Sequence, residues 1–274
     1  MKLLSRSLVA VAILLGSAVP AVSASAAPEA ASGSRHDRFS ALVFSKTAAF
    51  RHDMIPAATE AIRRLGRQNG FRVDATEDAG AFTDANLRRY DVVVWLSTTG
   101  DVLNDEQQAA FERYINRGGG YAGIHSASDT EYDWAWYGAL VGAYFRDHPG
   151  SVNPQFQVAT INVLDRRTAA TRPLPRRWER EEEWYNCRTN PRLTVHVLAE
   201  VDESTYDPRG YSVPGGSPGM GDHHPIAWCQ PFDGGRSFYT ALGHKPEYWS
   251  EPLLLAHVLG GIRMAAGVAR FDCD

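Results

Sequence analysis

The 274-residue chain has only three cysteines, Cys187, Cys229 and Cys273, and no C-x-x-C spacing among them, which removes a redox dithiol and a cysteine-built zinc cluster. There is no P-loop and no dinucleotide fingerprint at a strand-to-helix turn, so a kinase or a self-sufficient dehydrogenase is not expected. A local H-E-x-x-H metal motif is missing too. No charge of one sign dominates: 28 Lys and Arg stand against 32 Asp and Glu, a formal net charge of −4 with the signs interspersed. That balance leaves no footprint for nucleic acid or an anionic membrane and keeps small-molecule and carbohydrate partners open. Past the N-terminus no apolar run approaches the length of a membrane span.

The first apolar run, Leu8 to Val19, follows Lys2 and Arg6 and precedes the small residues Ala24-Ser25-Ala26. This is the pattern of a secretory signal peptide over residues 1–26, so the chain is expected to be secreted, extracellular or periplasmic. Disulfides persist in that setting. Pairing Cys229 with Cys273 would tether the end of the chain, with Cys187 as a competing partner.

Residues 27–38 read as a flexible lead-in, and one domain is expected over 39–267, with a C-terminal tail at 268–274. Strands are expected at 39–45, 71–75, 91–96, 121–124 and 237–242. Between them lie a helix with apolar Ile55, Ala58, Ile62 and Leu65 ending at Gly70, and a helix capped by Asn104 with Gln107. A last helix is expected over Glu251 to Ala266 with Ser250 as its cap. This alternation predicts an α/β fold with a mostly parallel sheet wrapped by helices, a three-layer α/β/α arrangement. From about Pro149 to Arg236 the rhythm changes to strand-like runs, including Phe156 to Leu164 and Leu193 to Val201, which read as a strand-rich insertion.

The most informative stretch is Gly118 to Ala127, which reads as a helix end, a short buried strand and a sharp turn. It has the shape of a nucleophile elbow with His125 at the exposed tip, where a serine or cysteine would serve acyl transfer. An imidazole there suits proton transfer or metal binding. Ligands of open parallel sheets bind beyond the carboxyl ends of the strands. That rule brings His52, His125 and His244 to one rim as candidate ligands for zinc or a similar divalent ion, with Asp129 or Glu182 as the carboxylate. His148 and His224 lie in loops able to fold over the rim, and Pro214 to Gly221 reads as a mobile lid. Thr98 to Asp101 could donate to a ligand or cap the next helix. His36, His196 and His257 read as structural. The acidic run Glu181-Glu182-Glu183 beside Trp184 and Tyr185 is either a solvated face or a carboxylate next to rings that stack on a sugar, with Trp134, Trp136 and Trp249 in nearby loops and Trp228 in the core.

Phe50-Arg51-His52, Gly123-Ile124-His125 with Ser128-Asp129, Asp147-His148-Pro149, Glu183-Trp184-Tyr185, His224 to Trp228 and Leu242-Gly243-His244, in this order, resemble the ThuA-like (trehalose utilisation) family over about residues 40–267. The resemblance implies a class I glutamine amidotransferase-like, flavodoxin-like fold with His125 at the position of the amidotransferase cysteine, so cysteine-dependent amidotransfer is not expected. It also implies a link to disaccharide or 3-keto sugar utilisation. The expectation is a hydrolase or lyase in which His125, Asp129 and Glu183 act on the bonds, while His52, His148, Trp184, Tyr185, His224 and His244 bind a small-molecule carbohydrate. The alternative is a non-catalytic carbohydrate-binding protein on the same fold.

Overall fold

The computed structural model describes residues 39–273; the expected signal peptide and lead-in, residues 1–38 with His36 among them, lie outside the described residues. The parallel strands β1 (Ser40–Phe44), β2 (Arg72–Thr76), β3 (Val92–Leu96) and β4 (Gly120–Ile124) alternate with helices α1 (Ile55–Asn69), α2 (Asp84–Leu87) and α3 (Asp105–Asn116). Every residue of β3 and β4 is buried, which explains their unbroken apolar or small composition, since a strand covered on both faces has no polar side to show. Helix α1 buries Ile55, Ala58, Ile62 and Leu65 on one stripe and stops where Gly70 adopts a left-handed φ of 76°. Helix α3 opens with the reciprocal Asn104–Gln107 capping box.

Helix α4 (Ala135–Val141) leads into β5 (Phe145–Asp147), β6 (Phe156–Val163), β7 (Arg177–Glu183), β8 (Asn186–Cys187), β9 (His196–Val201), β10 (Pro225–Phe232), β11 (Gly235–Thr240) and α5 (Pro252–Ala265). Nine strands form one sheet in the order β2-β1-β3-β4-β11-β10-β9-β6-β7, and β5 pairs with β8 separately. The five strands from β2 to β11 are parallel neighbours, in the strand order of flavodoxin-like sheets. The four pairings from β11 to β7 are antiparallel. Gly120 sits where α5 crosses the sheet: a Cβ there would lie 2.2 Å from the Ala265 carbonyl oxygen, so no larger residue fits. The disulfide joins Cys229 to Cys273 across a separation of 44 residues, leaving Cys187 free and buried. Among the described residues no helix is long and apolar enough to cross a membrane.

Some local expectations give way to tertiary structure. The cap of α5 is Glu251, because residues Pro246–Ser250 form a 3-10 turn in which Ser250 Oγ donates to the Glu247 carbonyl. β9 starts at His196, since Pro191–Leu193 is a 3-10 turn. β7 was hidden by charge: Trp178, Arg180 and Glu182 are buried while Glu179 and Glu181 are exposed, a period of two written largely in ionic residues. Gly118, Gly120 and Gly123 do stand in G-x-G-x-x-G order, but they occupy the entry and body of β4, where no helix N-terminus follows to receive a pyrophosphate.

Candidate metal centre

Four side chains converge beyond the carboxyl ends of the parallel strands. His52 follows β1, His125 follows β4, His244 follows β11 and Glu183 ends β7. Each offers a ligand atom, and these atoms all lie within 4.8 Å of one another. The three imidazole rings stand edge to face, with centroids 4.8 to 4.9 Å apart.

His125 is the hub. Its backbone is left-handed, φ 53°, a conformation that is costly for a residue with a Cβ and persists only where the surroundings impose it. The turn drives the ring inward, so the residue is fully buried and not at an exposed tip. Its Nδ1 lies 2.8 Å from the Ala241 carbonyl oxygen, which can only accept, so the proton sits on Nδ1 and the lone pair on Nε2. Around that lone pair stand His244 Nδ1 at 2.9 Å, the Tyr185 hydroxyl at 3.0 Å and Glu183 Oε2 at 3.4 Å. Glu183 Oε2 is also 2.7 Å from His244 Nδ1. A single proton on His244 Nδ1 serves two acceptors; a divalent cation among them would serve all.

The supporting residues fix these orientations. Glu183 Oε1 accepts from the Gln155 amide and lies 3.2 Å from His148 Nε2. Glu182 points away and accepts from the backbone N–H groups of Gly243 and His244 at 2.9 and 3.2 Å while pairing with Arg180 at 3.0 Å. The carboxylate of the site is therefore Glu183, and Glu182 is the clamp on the His244 loop; consecutive strand residues point to opposite faces. His52 Nδ1 meets Ser126 Oγ at 3.3 Å, and its Nε2 has no hydrogen-bond partner among the described residues. Burial would raise the Glu183 carboxyl, but hydrogen bonds with His125 and His244 outweigh it and hold the group far below the ordinary carboxylate range. Burial, then the neighbouring His125 and His244, push His52 down to about 2, so it is neutral at physiological pH and free to offer a lone pair.

A cavity of about 260 Å³ opens onto the cluster, and its walls include Phe50, Asp129, Phe145, His148, Tyr185 and Tyr211. Asp129 accepts a hydrogen bond from Tyr132, and burial raises its carboxyl pKa. Other sequence candidates stand elsewhere. His224 has both ring nitrogens engaged, Nε2 2.8 Å from the Tyr185 carbonyl oxygen and Nδ1 2.8 Å from Glu203, so it holds the Tyr185 backbone from behind. Trp184 is buried, donating to the Gln157 carbonyl and packing on Tyr206. Trp134 and Trp136 stack together beside Phe111, and Trp249 donates to the Gly243 carbonyl. None of these lines the cavity. Thr98 and Thr99 bond internally, to Thr130 and the Phe50 carbonyl. The cavity residues that the sequence did not single out are Phe145, Gln155 and Tyr211, the last lying just before the Pro214 to Gly221 stretch.

Residues 40–265 match the family described as ThuA, Trehalose utilisation. A putative ThuA-like protein from Bacteroides uniformis has a similar structure, with 23% sequence identity, TM-score 0.67, and coverage of 84% of this chain and 92% of that one. A second, from Parabacteroides merdae, gives 18% identity, TM-score 0.63, and 84% and 90% coverage. A beta-galactosidase from Bacillus circulans sp. alkalophilus is similar over 84% of this chain and 31% of its own, with 13% identity and TM-score 0.51, a likeness of fold alone. No curated protein matches the sequence.

Proposed function

Because this chain belongs to the ThuA family of trehalose utilisation, we propose that it is an exported, metal-dependent hydrolase or lyase of carbohydrate utilisation, acting on a disaccharide or a 3-keto sugar. The observation that carries the reading is the convergence of His52, His125, Glu183 and His244 on one point. The same reading takes residues 39–267 as one three-layer α/β/α domain of the class I glutamine amidotransferase-like kind, with the strand-rich stretch between β5 and β10 as its elaboration.

Three neutral imidazoles and a carboxylate suit a borderline divalent ion such as zinc, iron or nickel. Four protein ligands fill a tetrahedron, so an ion that accepts five or six ligands leaves room for substrate. Bound there, it would polarise a sugar oxygen and acidify a coordinated water or hydroxyl. The chain's own residues handle the protons. Asp129 faces the same cavity, and its burial-raised carboxyl retains a proton to higher pH than a solvated aspartate, which suits a general acid. The Tyr185 hydroxyl, 3.0 Å from His125 Nε2, is placed to donate to an oxygen held beside that nitrogen. His148, held between the Pro149 carbonyl oxygen and Glu183, orients the carboxylate.

Elemental analysis of protein purified without an immobilised-metal column tests the reading, followed by turnover of trehalose and its 3-keto derivative before and after chelation. Near-stoichiometric divalent metal and chelator-sensitive turnover are expected; protein that neither carries nor takes up metal defeats the proposal.

A further inference from the structure

Among the described Phe, Tyr and Trp residues only two are largely exposed, Phe50 at 65% and Tyr211 at 47%. Both line the cavity over the metal centre. Uncovered aromatic surface is unfavourable in water, and where it gathers at a cleft it marks a ligand contact. Neither ring hangs on a loose tether. Phe50 packs edge to face on His52, centroids 4.8 Å apart, and its carbonyl oxygen accepts from Thr99 Oγ1 at 2.7 Å. Tyr211 packs edge to face on His148, also at 4.8 Å, and its N–H donates to the His148 carbonyl at 3.2 Å.

The Tyr211 loop is clasped from below. Asp147 is fully buried, and its carboxylate accepts from Ser217 Oγ, from the Ser212 N–H at 3.3 Å and from the Asn186 amide at 2.8 Å. Gly210 passes so close that a Cβ would lie 2.1 Å from Asp147 Oδ1. The loop is thus docked on β5, the strand that leads into His148.

The cavity, about 260 Å³, falls just below the roughly 300–1,000 Å³ typical of pockets that enclose a drug-sized ligand. It has room for one sugar ring at the metal centre. A second ring must lie at the mouth, where the two exposed aromatic faces are.

We propose that Phe50 and Tyr211 form an outer sugar subsite: one ring of a disaccharide enters the cavity toward the metal centre, and the other stacks its apolar face on these two side chains. The inference rests on the carbohydrate reading of the site and adds where the second ring binds and which residues select for it.

Calorimetric titration of the metal-loaded mature protein with trehalose, maltose, cellobiose and glucose tests it, in wild type and in Phe50→Ala, Tyr211→Ala and Phe50→Trp. At least one disaccharide should bind about fivefold or more tighter than glucose, a difference expected of one aromatic stacking contact. Each alanine variant should weaken the disaccharide more than glucose and so remove most of that advantage, with metal still bound, and Phe50→Trp should retain it. Disaccharides that bind no tighter than glucose, alanine variants that weaken glucose equally, or alanine variants without effect would each overturn the subsite. Failure of the metal reading is seen separately, in the metal content of the wild type.

Discussion

His244 Nδ1 lies 2.7 Å from Glu183 Oε2, although 61 residues separate them along the chain. Their strands are not neighbours either: β10, β9 and β6 stand between β11 and β7 in the sheet. The site is therefore assembled from both parts of the sheet, three imidazoles from the ends of parallel strands and one carboxylate from the far antiparallel edge. Glu182, one residue earlier, grips the backbone of the same histidine. Glu183 and the group that positions its histidine partner thus arrive together on one strand, an arrangement that sets the geometry of the cluster.

Removing the hub separates chemistry from stability. His125→Ala should abolish stoichiometric metal binding and lower turnover by roughly 10²-fold or more. It should also destabilise the fold by about 1–3 kcal/mol, because the ring is buried and its loss leaves the Ala241 carbonyl oxygen unpaired. His125→Asn tolerates the left-handed backbone better and should be the more stable of the two while equally poor in metal. Metal content by mass spectrometry and urea unfolding check both; a metal-replete, active His125→Ala protein would move the centre elsewhere.

The Glu182 clamp predicts a different pattern. Glu182→Gln leaves Arg180 buried with only the half-exposed Glu251 as counter-charge and loosens the His244 loop, so a loss of about 2–4 kcal/mol is expected. Metal affinity should fall about tenfold or more although no ligand has changed. Metal titration alongside denaturation tests this, and unaltered affinity in a destabilised protein would make Glu182 purely structural.

How far the sequence carried this picture follows from the range over which each signal acts. Apolar runs such as Val92 to Leu96 and local caps such as Asn104 with Gln107 are short-range and were legible. So was the gathering of His52, His125 and His244, because the rim rule needs only the strand ends. Choosing Glu183 over Glu182 needed the phase of β7, which its charges concealed. The burial of His125 depended on a positive φ that no propensity announces, and the place of Tyr211 on a clasp between Asp147 and Ser217, 70 residues apart. Of the tryptophans expected near the rim, Trp134, Trp184 and Trp249 are buried and Trp136 packs partly buried against the core, while smaller exposed rings took the mouth.

The cysteines make opposite contributions. Opening the Cys229–Cys273 bond by Cys273→Ser frees a loop of 44 residues, and the chain-entropy relation sets the loss at up to about 4 kcal/mol. Cys187→Ser should leave turnover intact, since burial pushes the thiol up to about 12 and keeps it un-ionised. Thermal unfolding with and without reductant checks the first. Inactivation by a thiol reagent in folded wild type, absent in Cys187→Ser, would contradict the second.

Acid sensitivity should come in part from a histidine outside the site. His257, on α5, is buried with Nδ1 2.9 Å from the Ala170 carbonyl oxygen and Nε2 3.1 Å from Thr240 Oγ1. Burial, the leading cause, lowers its pKa from 6.5 to about 4. The unfolded chain therefore binds a proton between those values that the folded chain refuses, so stability is full above pH 6.5 and falls as the pH drops toward 4. The difference corresponds to about 3 kcal/mol. His257→Gln keeps hydrogen-bonding capacity without titrating, so its stability should be flatter from pH 7 to 4.5 than that of the wild type. Urea unfolding across that range measures the slopes, with the metal-free proteins compared so that proton competition at the metal ligands is common to both. Parallel slopes would show that His257 does not titrate in this window and would shift the acid sensitivity to the cluster itself, where His52 is also held neutral by burial.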